Sequence, residues 1–205
     1  MKSLVYVCLF MGGVLLTVPS FGCETFTIQM LKDDTPAYSM KILEDGFAGY
    51  STGTVISSFC VERDEYFNPG SSYYAVINTA TDGSCFFGKS DPLDSRSAYL
   101  YTQFISGNPL FQNEQQLQQA IWYIEQESNK SNAYVGLAND AVSSGLWSGI
   151  GNVRILNLYK YYDGKCYWGR VQDQLISIST VPAPGALLLA GIGTVLVGWL
   201  RRRNS

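Results

Sequence analysis

The C-terminal end of the chain is the feature that most limits how the rest can fold. Residues 181–200 carry no charged side chain, and three arginines follow at Arg201, Arg202 and Arg203. A helix of 20 residues is about 30 Å long, which matches the hydrocarbon core of a bilayer. Arginines at the end of such a span stay on the cytoplasmic side. The pattern predicts a C-terminal transmembrane helix outside the folded domain; the alternative is a buried last helix of a soluble domain.

A short proline motif precedes this span, at Val181, Pro182, Ala183 and Pro184. The motif, the apolar span and the arginine-rich end together resemble the PEP-CTERM sorting signal of bacterial surface proteins, although Ala183 stands where that family more often has Glu. The resemblance implies that an exosortase, a membrane-embedded cysteine transpeptidase, cleaves near the motif. It implies a protein anchored in the membrane through residues 181–200 and then released to the cell surface or the extracellular matrix of a biofilm.

The N-terminus has the pattern of a secretory signal peptide. Lys2 is followed by an apolar stretch over residues 4–18, and small residues stand at Ser20 and Gly22. This order predicts export and a cut after Gly22. Cys23 then becomes the first residue of the mature protein, and the alternative is a lipoprotein with a lipid on that cysteine, for which Ser20 stands where Leu is preferred.

Removal of both ends divides the chain into a signal peptide (1–22), an extracytoplasmic domain (23–180) and a sorting signal (181–205). The domain has 158 residues, enough for a hydrophobic core. It holds all 17 acidic residues but only 10 of the 14 basic ones, so its net charge is about −7, which disfavours nucleic-acid binding. The chain has no histidine, the commonest general base and a common metal ligand. We therefore predict no enzyme, no cofactor and no metal site.

Hydrophobic periodicity predicts an α+β domain. Segments with strand character fall in the first part and the last part of the domain, and helical spacing appears only between them. The predicted strands are 24–30, 40–43, 52–62, 72–79, 153–162, 166–168 and 174–180, and the predicted helices are 94–105, 113–124 and 133–142. We expect an antiparallel β-sheet or sandwich built from the N- and C-terminal parts, with two or three helices inserted in the middle.

Two short segments carry the candidate chemistry. Residues 59–62 read Phe-Cys-Val-Glu, and residues 118–122 on the second predicted helix read Gln-Gln-Ala-Ile-Trp. The pair resembles the thioester domains of bacterial surface proteins, although Leu117 stands where that family usually has Thr. The resemblance implies that the Cys60 thiolate attacks the side-chain amide of Gln118 and expels ammonia. An amine or a hydroxyl of a protein or a surface polysaccharide then takes the acyl group, which makes the domain a covalent adhesin.

The same residues have a second interpretation. Cys60 is then a buried strand thiol or half of a disulfide, and Gln118 an ordinary polar position on an amphipathic helix. The mature domain has four cysteines, Cys23, Cys60, Cys85 and Cys166, an even number in an oxidising compartment, and these allow three full pairings. If Cys60 is in a thioester, the favoured disulfide is Cys85–Cys166.

Two further functional classes stay open besides the adhesin. One is a non-covalent structural or carbohydrate-binding matrix protein with Cys60 in a disulfide, for which the 14 tyrosines, among them Tyr161 and Tyr162, supply a sugar-stacking surface. Alternating tyrosines in strands are also typical of ordinary half-buried packing. The other class is a carboxylate-based matrix enzyme, which requires a cleft with paired carboxylates.

Overall fold

Residues 26–32, 37–81 and 91–179 are described by a computed structural model, and they contain six strands, three α-helices and two short 3-10 helices, Phe47–Gly49 and Pro109–Phe111. The strands are β1 (Phe26–Met30), β2 (Tyr38–Ile42), β3 (Val55–Ser58), β4 (Ser72–Asn78), β5 (Val153–Tyr162) and β6 (Tyr167–Ser177). The helices are α1 (Ser95–Ile105), α2 (Glu114–Ile124) and α3 (Ala133–Ser143). All three helices lie between β4 and β5 in the chain, which confirms the predicted α+β order.

The strands form one antiparallel sheet in the order β3-β2-β1-β4-β5-β6. Its two ends are joined, because the residues after β3 pair with β6. The Leu175 amide donates to the Phe59 carbonyl and the Val61 amide to the Asp173 carbonyl, both at 3.0 Å. The described residues therefore form a single closed sheet. Of the two predicted forms, a sheet or a sandwich of two packed sheets, the structure has the first.

Closure of the sheet creates two hydrophobic cores. The first fills the inside of the sheet with residues from β1, β2, β4, β5 and β6, and the second lies between the outer face and the three helices. Alternation along β5 supplies both, since Leu156 and Leu158 belong to the inner core and Val153 and Ile155 to the outer one. Because both faces of β5 are covered, apolar residues occur at both its odd-numbered and its even-numbered positions.

The first two helices begin one residue after the predicted starts at 94 and 113, and these two residues are their caps. The side chain of Asp94 accepts a hydrogen bond from the Arg96 amide at the start of α1, and that of Asn113 accepts from the Gln116 amide at the start of α2. The buried stripe of α2 contains the polar Gln118 among Leu117, Ala120, Ile121 and Ile124. Amphipathic spacing therefore turns this glutamine toward the sheet rather than toward water.

One strand runs further than predicted. The gap between the two predicted strands at 166–168 and 174–180 holds the polar residues Arg170, Gln172 and Asp173, and the polar Gln174 follows it, yet β6 continues through all of them. These polar side chains have polar partners in the fold: Arg170 pairs with Glu62, Gln172 donates to the Glu62 carbonyl, and Gln174 donates to the Cys60 sulfur. Pairing of this kind makes a buried polar strand possible.

The predicted terminal segments lie outside the described residues. These are the signal peptide 1–22, the sorting motif at 181–184, the transmembrane span to residue 200 and the arginines at 201–203. Within residues 26–32, 37–81 and 91–179, no helix combines the length and the apolar character needed to cross a bilayer.

Candidate functional site

Cys60 lies at the point where the sheet closes, directly opposite Gln174 of β6. The hydrogen bonds of this bridge are made by the neighbours Phe59 and Val61, so Cys60 and Gln174 are a non-hydrogen-bonded pair. The N–H and C=O groups of Cys60 therefore point away from β6. They need another partner, because Cys60 is only 1 % exposed.

The side chain of Gln118 supplies both missing hydrogen bonds. The Cys60 amide donates to Gln118 Oε1 at 2.9 Å, and Gln118 Nε2 donates to the Cys60 carbonyl at 2.8 Å. The carboxamide thus takes the place of a neighbouring strand, and Gln118 is itself only 5 % exposed. The structure brings together the two residues that the sequence paired across 58 positions.

The thiol of Cys60 is free and buried. Its sulfur accepts a hydrogen bond from Gln174 Nε2 at 3.3 Å. Burial raises the pKa of the Cys60 thiol to about 12, and the hydrogen bond from Gln174 acts in the opposite direction. At neutral pH the group is therefore a protonated thiol. The alternative interpretation with Cys60 in a disulfide stays a prediction, because Cys23 and Cys85 lie outside the described residues.

The arrangement has the components of an acyl transfer. The Cys60 amide already donates to the carbonyl oxygen of Gln118, which polarises the carboxamide and stabilises negative charge on Oε1 when a nucleophile adds to the carbon. The thiol belongs to the same residue as that donor, so nucleophile and electrophile lie on two side chains that the fold already joins through the main chain of Cys60. Both groups are shielded from water by burial.

A cavity of about 230 Å³ reaches Gln118. It is lined by Tyr38 of β2 and by Gln115, Gln118, Gln119 and Trp122 of α2. Gln115 is exposed, and Gln119 and Trp122 are partly exposed, so the cavity connects the buried carboxamide with the surface.

A second, larger cavity of about 410 Å³ begins at the residues after Cys60 and is acidic. Glu62, Asp91, Glu125 and Glu127 are among its lining residues. Burial raises the pKa of Glu125 to about 7. Within the described ranges, no three acidic or cysteine side chains are placed to hold a metal ion.

An ion-paired cluster stands beside this cavity. Arg170 of β6 pairs with Glu62 and, at 3.3 Å, with Glu65. Burial, and then the charge of Glu62, raise the pKa of Glu65 to about 8, although the Arg170 charge opposes the shift. Sequence reasoning missed this cluster, and the signal that was available is the group of polar residues at 170 and 172–174 inside a strand pattern.

The remaining predicted residues lie elsewhere. Cys166 is in the turn between β5 and β6, where its amide donates to the Asp163 side chain at 2.8 Å. Cys85 and Cys23 lie outside the described residues, so the Cys85–Cys166 disulfide stays a prediction.

Comparisons with protein-family models, with curated proteins and with solved structures give no match for this chain. Any function assigned to it therefore rests on its own residues and on their arrangement.

Proposed function

We propose that this chain is an exported bacterial surface or matrix protein that binds its target covalently through a thioester between Cys60 and Gln118. One observation carries the proposal: both polar atoms of the Gln118 carboxamide are hydrogen-bonded to the main chain of Cys60, whose thiol is free. Both residues are buried, and Gln118 lines a cavity whose other residues include the exposed Gln115.

The chemistry balances without a cofactor. The sulfur of Cys60 forms a bond to the carboxamide carbon of Gln118, the bond to Nε2 breaks, and ammonia leaves with the proton of the thiol. An amine of the target then attacks the same carbon, the carbon–sulfur bond breaks, and the Cys60 thiol is restored. The product is an amide between Gln118 and the target. Each molecule reacts once, so the protein is a covalent binder and not an enzyme.

Amines fit this site better than hydroxyls. A hydroxyl needs a general base to become nucleophilic, and the chain has no histidine to serve as one. A neutral amine attacks a thioester without such help. Lysine side chains of a protein target are therefore the first expectation, and hydroxyls of a surface polysaccharide the second.

Export and sorting follow from the two ends of the chain. The signal peptide 1–22 directs export, the span 181–200 holds the protein in the membrane, and an exosortase cuts near Pro182. Expression in a host with an exosortase, followed by mass spectrometry of the released protein, tests this step. A released protein that ends near residue 184 supports sorting, whereas one that still carries Arg201 contradicts it.

Intact mass of the purified domain tests the thioester. Its formation lowers the mass by about 17 Da, and methylamine then adds about 31 Da. We expect both changes to be absent in Cys60→Ser and in Gln118→Glu. Gln119→Glu and Cys166→Ser are matched controls and keep both changes. A wild-type mass equal to that of the unmodified chain, with Cys60 open to alkylation after denaturation, would refute the proposal.

A second candidate function is carbohydrate binding at the end of the β5–β6 hairpin. Tyr161 and Trp168 stack there with ring centres 4.0 Å apart, and both are about half exposed. Exposed aromatic rings of this kind pack against apolar faces of sugars. Electrophoresis in gels that contain a surface polysaccharide tests this function: retardation lost in Trp168→Ala but kept in Tyr66→Ala, which removes a lone exposed ring, supports it.

A further inference from the structure

We infer that Gln174 is a positioning residue for the Cys60 thiol: its carboxamide orients the sulfur and stabilises the thiolate that attacks Gln118. The inference rests on the proposed thioester and adds a third residue, from β6, to the Cys60–Gln118 pair. No sequence motif indicates this glutamine, which lies 114 positions from Cys60.

The position of Gln174 is set by the closure of the sheet. Gln174 faces Cys60 in a non-hydrogen-bonded antiparallel pair, the type in which opposite side chains come closest. Its side chain is fully buried, and Nε2 lies 3.3 Å from the Cys60 sulfur. The contact between Gln174 and the Cys60 sulfur therefore lies at the bridge that joins the residues after β3 to β6.

The two carboxamides at Cys60 have different partners. Gln118 directs both of its polar atoms to the main chain of Cys60. Gln174 donates to the sulfur, and its Oε1 has no hydrogen-bond partner in the described part of the chain. A carboxamide has a donor and an acceptor, so Gln174 is able to accept from the neutral S–H group or to donate to the thiolate.

The charged groups nearest in the chain are engaged elsewhere. Glu62 pairs with Arg170, and Asp173 accepts a hydrogen bond from Asn157 at 2.7 Å. The thiolate therefore depends on neutral donors for its stabilisation in a buried site. Burial opposes the thiolate, and the N–H group of Gln174 favours it.

Two substitutions and one control test this role. Gln174→Met keeps the length of the side chain and removes the donor, and Gln174→Glu replaces the amide with a carboxylate. Gln172→Met is the control, because Gln172 is buried on the same strand but donates to the Glu62 carbonyl. The reduced domain is refolded between pH 6 and pH 9, and the species that has lost ammonia is measured against time, per molecule of folded protein.

A hydrogen bond to a charged sulfur predicts thioester formation about 10- to 100-fold slower in Gln174→Met at every pH, and slower still in Gln174→Glu. Gln172→Met should stay within about 3-fold of the wild type. A purely structural role would lower the folded fraction and leave the rate per folded molecule unchanged. That result, or a cross-linked peptide in which the acyl donor is Gln174 itself, would overturn the inference.

Failure of the thioester is distinguished from failure of this inference by a second measurement. If the wild type forms no thioester, the proposed function is wrong. The contact between Gln174 and the Cys60 sulfur is then tested directly by the rate at which Cys60 reacts with methyl methanethiosulfonate. Slower reaction in Gln174→Met than in the wild type supports stabilisation of the thiolate by Gln174. Equal rates in the two folded proteins would contradict it.

Discussion

Two groups of polar side chains surround residues 60–65, which follow β3 and lie against β6: one group is neutral and the other is charged. Around Cys60 the partners are the neutral carboxamides of Gln118 and Gln174. Two residues further on, Glu62 is part of a charged cluster with Glu65 and Arg170. The first group lies beneath α2 and is almost fully buried, whereas the second borders the acidic cavity and is partly exposed.

The difference shows how the residues after β3 combine a buried neutral site at Cys60 with an ion-paired site at Glu62. Neutral carboxamides fix the position of a main chain and a thiol without adding charge to a dry site, where charge is costly. Charged groups stay at the rim, where water and an ion pair reduce that cost. The neutral group therefore suits the proposed covalent chemistry of Cys60. The charged group instead helps to hold β6 against the residues that follow β3.

The largest expected effect is that of pH on the rate of thioester formation by Cys60 in the neutral group. Below the pKa of about 12, the fraction of thiolate rises tenfold with each pH unit. We therefore expect thioester formation to be about 1,000-fold faster at pH 9 than at pH 6 in the refolded domain, as followed by the loss of ammonia in intact-mass spectra. A rate independent of pH would show that thiolate formation does not limit the reaction.

The next effect concerns the stability that the neutral group provides. In a Cys60→Ala background, where no thioester forms, Gln118→Leu leaves the buried N–H and C=O groups of residue 60 without partners. We expect urea denaturation to show a loss of about 2–4 kcal/mol in the free energy of unfolding. Gln119→Leu, on the partly exposed side of α2, should change it by less than about 0.5 kcal/mol. Equal effects of the two substitutions would contradict the pairing.

A smaller effect is expected from the charged cluster. Arg170→Met leaves Glu62 and Glu65 facing each other without the cation, and we expect a loss of about 1–2 kcal/mol near pH 7, because these side chains are partly exposed. The loss should grow as the pH rises, since both carboxylates are then charged. Arg154→Met is the control, because the Arg154 guanidinium donates to the main-chain carbonyls of Gly151 and Val153.

The smallest effect concerns Glu125 in the acidic cavity. Its pKa in the folded protein is about 7, above the ordinary 4.5, so the folded state binds the proton more tightly and stability falls as the pH rises from 4.5 to 7. Glu125→Gln should therefore stabilise the protein by on the order of 1 kcal/mol at pH 8 and have little effect at pH 4. Glu127→Gln, in the same cavity but less buried, should change less. Thermal unfolding at both pH values checks this.

Much of the fold was predictable from local patterns. The caps Asp94 and Asn113 mark the starts of α1 and α2, and alternation marks β5. Cys60 and Gln118 were predicted as a pair from two short segments. Gln174 and Arg170 were not, because a polar run inside a strand pattern resembles a break between strands when its partners are unknown.

Local chemistry along the chain determined which residues are helical, which are extended and which face is apolar, because hydrogen bonds of caps and the spacing of apolar residues act within a few positions. Tertiary structure alone decided that the sheet closes, that Gln118 serves as a strand substitute for Cys60, and that Gln174 meets the sulfur. These contacts join residues 58 and 114 positions apart in the chain. They depend on the pairing of the residues after β3, at one edge of the sheet, with β6 at the other edge.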